Sequence, residues 1–140
     1  MPMKSVKISD YMARKLVTFK PDDNIFEAMD QFLDHGISGA PVVDDSGQLV
    51  GMLSEVDLIE VVMQGSYYDE AEGVVRDFMQ ANVDTVTPDQ DIYSVAARFR
   101  KEHRHRFPVV HSDGRLVGQI SRRDVLRAVR EFVERNVRKK

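Results

Sequence analysis

Apolar residues from Ile25 onward recur at helical spacing, through Ala28, Met29, Phe32 and Leu33, and the run stops at Gly36. Two short β-branched runs follow in APVVDDSGQLVGML, split by Asp-Ser-Gly, which predicts a hairpin. The same order returns later: Ile92, Val95, Ala96 and Phe99 at helical spacing, then FPVVHSDGRLVGQI. A second helix is expected after each hairpin. Proline restricts its predecessor to extended backbone in TFKPDD and TVTPDQ, so the first helix of each copy should begin near Asn24 or Asp91.

Set against itself at an offset of 67 residues, the chain aligns without a gap from Ile8/Val75 to Ile59/Leu126. Matches include Asp10/Asp77, Met12/Met79, Pro41/Pro108, Gly51/Gly118, Ser54/Ser121 and Asp57/Asp124. Each copy reads as strand, helix, strand, strand, helix. The expected division is repeat 1 over 1–63, a connection over 64–73, and repeat 2 over 74–140 with an extended C-terminal helix. A half of this size would leave its sheet face uncovered, so the two copies should pack through their sheets as a pseudo-twofold α/β (α+β) unit with a cleft between them.

The 140 residues suit one compact unit that needs no staple. The absence of cysteine excludes a disulfide framework and thiolate zinc sites, and makes the cytoplasm the expected location. No apolar run approaches the ~20 residues of a bilayer span, so no membrane association is expected. A net charge of −3 gives no global attraction to nucleic acid. The basic stretches RFRKEHRHR and RNVRKK raise nucleic-acid binding as a rival, but on the last helix Arg127, Glu131 and Arg135 lie four apart, as do Arg130, Glu134 and Arg138, so much of that helix's charge is expected to pair along its surface. Opposite them run Val125, Leu126, Val129, Phe132, Val133 and Val137, a stripe expected at a dimer interface or on the partner half. No nucleophile motif, Walker loop or dinucleotide fingerprint is present, so no enzyme is expected. The four histidines lack cysteine or a clear carboxylate partner, so no metal site is expected.

The chemistry concentrates in LVGMLSEVDL and LVGQISRRDV. Ser54 and Ser121 each follow a strand and open a helix, with Asp57 or Asp124 three residues on. That spacing writes a capping box. The same place offers a ligand backbone N–H groups, the positive end of the helix dipole, a hydroxyl for phosphate and a carboxylate for the paired hydroxyls of a ribose. Gly51 and Gly118 permit a close backbone approach, by a ligand or within an irregular strand. Arg122 and Arg123 oppose the dipole of the helix they begin, at about 0.3 to 1 kcal/mol each when exposed, a conflict that a phosphate would relieve. His105 and Arg106 add donors suited to phosphate at the mouth of a strand. Their counterparts Ser38 and Gly39 carry no charge, so the two sites should differ.

The doubled pattern PVVD…G.LVG.(L/I)S..D, introduced by ISDYM and VRDFM, resembles a tandem pair of cystathionine β-synthase (CBS) domains, a Bateman module, over nearly the whole chain. GISGAPVVD resembles the regulatory insert of inosine monophosphate dehydrogenase, and HRFPVV the γ subunit of AMP-activated kinase. The resemblance implies a module, needing no cofactor, that binds an adenosine-containing ligand: AMP, ADP, ATP or S-adenosylmethionine. By motif position it puts Ser54, Asp57, Ser121 and Asp124 at phosphate or ribose, with Thr18, Thr85 and the residues before Pro41 and Pro108 lining the base and phosphate region. The ligand set expected on residues and resemblance together is Thr18, Ser38, Gly39, Ser54, Asp57, Thr85, His105, Arg106, Ser121, Arg122 and Asp124. The family also implies a homodimer built through its helices, here regulating another protein through dimer geometry. The alternative is a ligand-free dimerisation or interaction module.

Overall fold

A computed structural model describes residues 6–64 and 73–138. The expected connection over 64–73 lies, apart from its two end residues, outside the described residues. The elements run α1 (Ile25–His35), β1 (Gly39–Val43), β2 (Leu49–Ser54), α2 (Glu55–Met63), α3 (Ile92–Glu102), β3 (Arg106–Val110), β4 (Leu116–Ser121) and α4 (Arg122–Arg138). Short 3₁₀ turns at Ile8–Asp10 and Val75–Asp77 introduce the two copies. β1 pairs antiparallel with β2, and β3 with β4, in equivalent registers. This is the mixed α+β content expected from the periodicity.

Caps explain where the helices begin. Asn24 accepts from the backbone N–H groups of Phe26 and Glu27 at 2.9 and 3.1 Å. Asp91 accepts from that of Ser94 at 2.7 Å. α1 ends at Gly36 in the left-handed region (φ 61°), and α3 ends at His103 in the same conformation (φ 54°). The hairpin turns use Gly47 (φ 85°) and Gly114 (φ 90°). In the first turn Asp44 Oδ1 accepts from the N–H and hydroxyl of Ser46 and the N–H of Gln48, at 2.8 to 3.0 Å. Those bonds, led by the Ser46 hydroxyl, hold its carboxyl below the usual carboxylate range.

The expected first strand of each copy is reduced to one parallel bridge, Phe19 to Val42 and Val86 to Val109. Lys20-Pro21 and Thr87-Pro88 follow immediately, and proline has no N–H to continue a ladder.

Two compact units form: Val17–Val83, and Met1–Leu16 with Asp84–Lys140. They are offset from the sequence repeats, because the segment that introduces each copy packs with the other copy's hairpin. In the first-hairpin unit (Val17–Val83), Met52 and Gln80 exchange both backbone hydrogen bonds at 2.9 Å. In the second-hairpin unit, Ala13 and Gln119 do the same at 2.8 and 2.9 Å. Each unit has its own core. Phe19, Ile25, Phe32, Val42, Leu53 and Val75 fill the first; Ile8, Ile92, Phe99, Phe107, Val109 and Ile120 fill the second.

The buried part of one helix face is narrower than the periodicity. Leu33, placed on the core face of α1 by spacing, is exposed, because the buried arc is narrowed to Ile25, Ala28 and Phe32. On α4, Val125 and Ala128 are buried, while Leu126, Val129, Val133 and Val137 face outward. No described helix is long and apolar enough to cross a membrane.

Candidate functional site

The residues of the doubled phrase meet where each hairpin ends and the next helix starts. In the first-hairpin unit the end of β2 delivers Ser54 to the first turn of α2. The Ser54 N–H and hydroxyl both donate to Asp57 Oδ2, at 2.8 and 2.9 Å, and the Asp57 N–H returns a bond to Ser54 Oγ at 3.3 Å. Asp57 is buried, and its other oxygen accepts from the Gln80 side-chain amide at 3.0 Å. Register pairs Gly39 with Ser54, and the Ser38 carbonyl accepts from the Glu55 N–H at 3.1 Å. Thr18 is exposed just ahead of the bridge at Phe19.

The second-hairpin unit repeats the box and changes its surroundings. The Ser121 N–H and hydroxyl donate to Asp124 Oδ2 at 2.8 and 3.0 Å, and the Asp124 N–H to Ser121 Oγ at 3.3 Å. Ala13 stands where the other copy has Gln80, and Arg127 takes over, donating to Asp124 Oδ1 at 3.1 Å and to the Tyr11 carbonyl at 3.0 Å. Glu131 accepts from the Tyr11 hydroxyl. Arg127 thus pairs toward the start of α4 rather than with Glu131 one turn on, because Asp124 and the Tyr11 carbonyl both lie within its reach. The bond to Glu131 raises the Tyr11 phenol above its ordinary range, with burial adding to the effect.

Around this second box gather cations that the first lacks. Arg106 opens β3 and pairs in register with Ser121. Arg122 Nε donates to the Arg104 carbonyl at 2.7 Å, and Arg104 is ion-paired with Asp84. His105 is exposed between them. The Thr85 carbonyl accepts from Arg98 at 2.9 Å, and the Arg98 guanidinium lies 4.5 Å from the centre of the Phe107 ring. Arg98 is also held by Glu102 at 2.8 Å, a bond that lowers the Glu102 carboxyl and raises the guanidinium.

The eleven expected ligand residues therefore divide by unit. Thr18, Ser38, Gly39, Ser54 and Asp57 belong to the first-hairpin unit; Thr85, His105, Arg106, Ser121, Arg122 and Asp124 belong to the second. Sequence reasoning missed Gln80 and Arg127, which complete the two carboxylates. The available signal was the paired difference Gln80/Ala13 and Glu60/Arg127 at repeat-equivalent positions.

The two glycines have a protein-internal reason. A Cβ on Gly51 would lie 2.7 Å from Met79 Sδ and 2.9 Å from the Gln80 carbonyl oxygen. On Gly118 it would lie 2.7 Å from Met12 Sδ and 2.8 Å from the Ala13 carbonyl oxygen. The close approach is that of the introducing segment.

Charge separates with the units. Residues 17–83 hold two Lys/Arg against fourteen Asp/Glu, a net −12, whereas the second-hairpin unit holds eighteen against nine, a net +9. A hollow of ≈ 390 Å³ beside Asp57 is flanked by Glu60 and Asp77. On α4 a hollow of ≈ 360 Å³ is lined by Arg123, Leu126, Arg127 and Arg130. Phosphate would be repelled at the first and attracted at the second.

Comparison with known proteins places these features in a family. The chain is 33% identical over 120 residues to an uncharacterized protein of Methanocaldococcus jannaschii, and 30% identical over 125 residues to one of Methanopyrus kandleri. The alignments cover 86% and 89% of this chain but 41% and 63% of those relatives, so the chain spans only part of their length. Among solved structures, CBSX2, a CBS-pair protein from Arabidopsis thaliana, superposes with a TM-score of 0.80 at 26% identity, covering 93% of this chain and 98% of that one. CBSX2 in complex with AMP also gives 0.80, at 27% identity and 91% and 98% coverage. The CBS domain pair of protein MJ0100, in complex with 5′-methylthioadenosine and S-adenosyl-L-methionine, gives 0.74 at 26% identity, with 87% and 98% coverage. The CBS domain model matches twice, over residues 8–64 and 75–131. With its two capped hairpin-to-helix junctions at equivalent positions, the chain belongs to the CBS domain family and carries two such domains in tandem.

Proposed function

We propose that the chain is a non-catalytic sensor for an adenosine-containing ligand, acting as a homodimer in the cytoplasm and regulating another protein through the geometry of that dimer. The observation that carries this reading is the cluster of Arg106, Arg122 and His105 around the Ser121–Asp124 box, inside a unit of net charge +9. Guanidinium forks match phosphate oxygens. Asp124 Oδ1 carries one bond, from Arg127, and a carboxylate oxygen can accept a second from a ribose hydroxyl. The AMP complex of CBSX2 and the 5′-methylthioadenosine and S-adenosyl-L-methionine complex of MJ0100 support the ligand class. In the first-hairpin unit, Thr18, Ser38, Gly39, Ser54 and Asp57 offer polar contacts without cations, so phosphate is assigned to the second.

Thermal shift with AMP, ADP, ATP and S-adenosylmethionine tests the reading. A ligand that binds only the folded form at 100 times its Kd stabilises by about 2.7 kcal/mol. Arg106→Ala should lose affinity for ATP more than for adenosine by calorimetry, while Asp124→Asn, which preserves the shape of the cap, should lose affinity for all of them. No shift with any of the four would leave the ligand-free dimerisation module. That second reading is favoured by one fact: both oxygens of Asp57 and of Asp124 are already engaged within their own units.

A further inference from the structure

The Asp124 carboxylate is largely occupied inside its own unit: Oδ2 accepts from the Ser121 N–H and hydroxyl at 2.8 and 3.0 Å, and Oδ1 from Arg127 Nη1 at 3.1 Å. An ionised carboxylate has about four lone-pair directions, so one is left, whereas the neighbouring hydroxyls of a ribose bring two donors. For both to bind, a donor already in place has to leave. The Ser121 donors are part of the cap that starts α4. Arg127 is the loosest of the three, joined to the box by one bond, its side chain 44% exposed against 14% for Asp124. Its other contacts are with Tyr11: Nη2 donates to the carbonyl at 3.0 Å, and the guanidinium lies 5.7 Å from the centre of the ring. A second anion stands on the same helix. Glu131 lies four residues beyond Arg127, the spacing at which helix side chains are neighbours. It is half-buried, and its Oε2 accepts from the Tyr11 hydroxyl. The first repeat has no such arrangement, since Glu60 holds the place of Arg127 and Gln64 that of Glu131.

From this we infer that Arg127 gates ribose recognition at the second box: the 2′ and 3′ hydroxyls together displace it from Asp124, and Glu131 receives it. The inference rests on the adenosine-ligand reading above and adds to it a specificity-determining residue that acts through Asp124. A ligand shifts such an equilibrium only by its differential affinity for the two arrangements. Here the difference is one hydrogen bond, made by the second hydroxyl only when Arg127 has left. Pairing with Glu131 offsets the ion pair given up. A sugar that carries one of the two hydroxyls takes the remaining direction on Oδ1 and leaves Arg127 where it is. Occupancy by a ribonucleotide therefore moves a cation one turn along α4, and the first-hairpin unit has no residue that could answer in the same way.

Calorimetry with AMP and 2′-deoxy-AMP reads the exchange as the ratio of their affinities, from which the phosphate contribution cancels. Arg127→Met puts an unbranched helix former at an exposed position, so α4 should still fold. It should raise the preference for AMP by about two- to fivefold, the worth of one partly exposed ion pair. Glu131→Gln keeps an acceptor for the Tyr11 hydroxyl but no charge for the displaced guanidinium, and should lower the preference by a similar factor. A merely structural role for either residue would change both affinities alike. A preference that Arg127→Met leaves unchanged or lowers overturns the gate, and so does one indifferent to Glu131→Gln. A parent chain that binds neither nucleotide overturns the adenosine reading and the gate together. A parent that binds AMP, with a preference that Arg127→Met does not raise, loses the gate alone.

Discussion

The Gln80 side-chain amide donates to Asp57 Oδ1 at 3.0 Å, and its repeat counterpart, Ala13, has no group that could do so for Asp124. Arg127 fills the role there, from the helix position that Glu60 holds in the first copy. A buried carboxylate is therefore satisfied by a neutral amide, and a half-buried one by a cation. The box is shared; its electrostatics are not.

Truncating Asp57 should accordingly destabilise the chain more than a lost cap alone. Asp57→Ala removes the capping-box acceptor of the Ser54 N–H and hydroxyl, at roughly 1 to 3 kcal/mol for half-buried donors left unpaired, while the Gln80 amide, on an exposed residue, turns to water. Gln80→Ala should cost less, and combining the two should cost less than the sum, because both remove the same Gln80–Asp57 hydrogen bond. Urea unfolding of the three variants measures both statements.

Gly51→Ala and Gly118→Ala should each destabilise by on the order of 1 to 3 kcal/mol, the usual range for overpacking. Removing the methionine in contact should not rescue either variant. The carbonyl of Gln80 or Ala13 remains within 2.9 Å of the added methyl, and backbone held in a bridge cannot turn aside. Denaturation midpoints of Gly51→Ala with and without Met79→Ala decide the matter.

His103 ends α3 at φ 54°, where Gly36 ends α1 at φ 61°. A side chain in the left-handed region costs roughly 1 to 2 kcal/mol, part of which glycine returns as extra freedom in the unfolded chain. His103→Gly should therefore raise stability by a net ~0.5 to 1 kcal/mol. Gly36→Ala should lower it, although the space around that residue is open. Thermal unfolding tests the pair.

Tyr11 sets an alkaline limit. Its folded-state pKa is raised, chiefly by donating to Glu131, so the native state keeps this proton to higher pH than the unfolded chain does. The stabilisation is complete below the unfolded value near 10 and is lost as pH rises through the higher folded value. Tyr11→Phe, which copies Phe78 of the other repeat, should flatten that part of the stability profile. It should also remove from the ultraviolet titration a phenol that ionises above its ordinary range.

Local features of this chain were legible without coordinates. The helix starts at Asn24 and Asp91, the stop at Gly36, both hairpins and both capping boxes depend on residues within a few positions of one another, and spacing records such relationships directly. Leu33 shows the edge of that method: spacing gives a helix its apolar arc, but the breadth of the buried part depends on what packs against it.

The sequence alone determined that the chain folds twice in the same way and that each copy ends its hairpin on a serine and an aspartate. Tertiary structure decided that each introducing segment joins the other copy's hairpin, through the bridges of Met52 with Gln80 and of Ala13 with Gln119. It thereby decided why Gly51 and Gly118 must be small, and that a nearly neutral chain parts into an acidic and a basic unit. The physical reason is reach. Periodicity encodes contacts between neighbours along the chain, whereas these contacts join residues 28 and 106 positions apart, and their register exists only once both partners are folded.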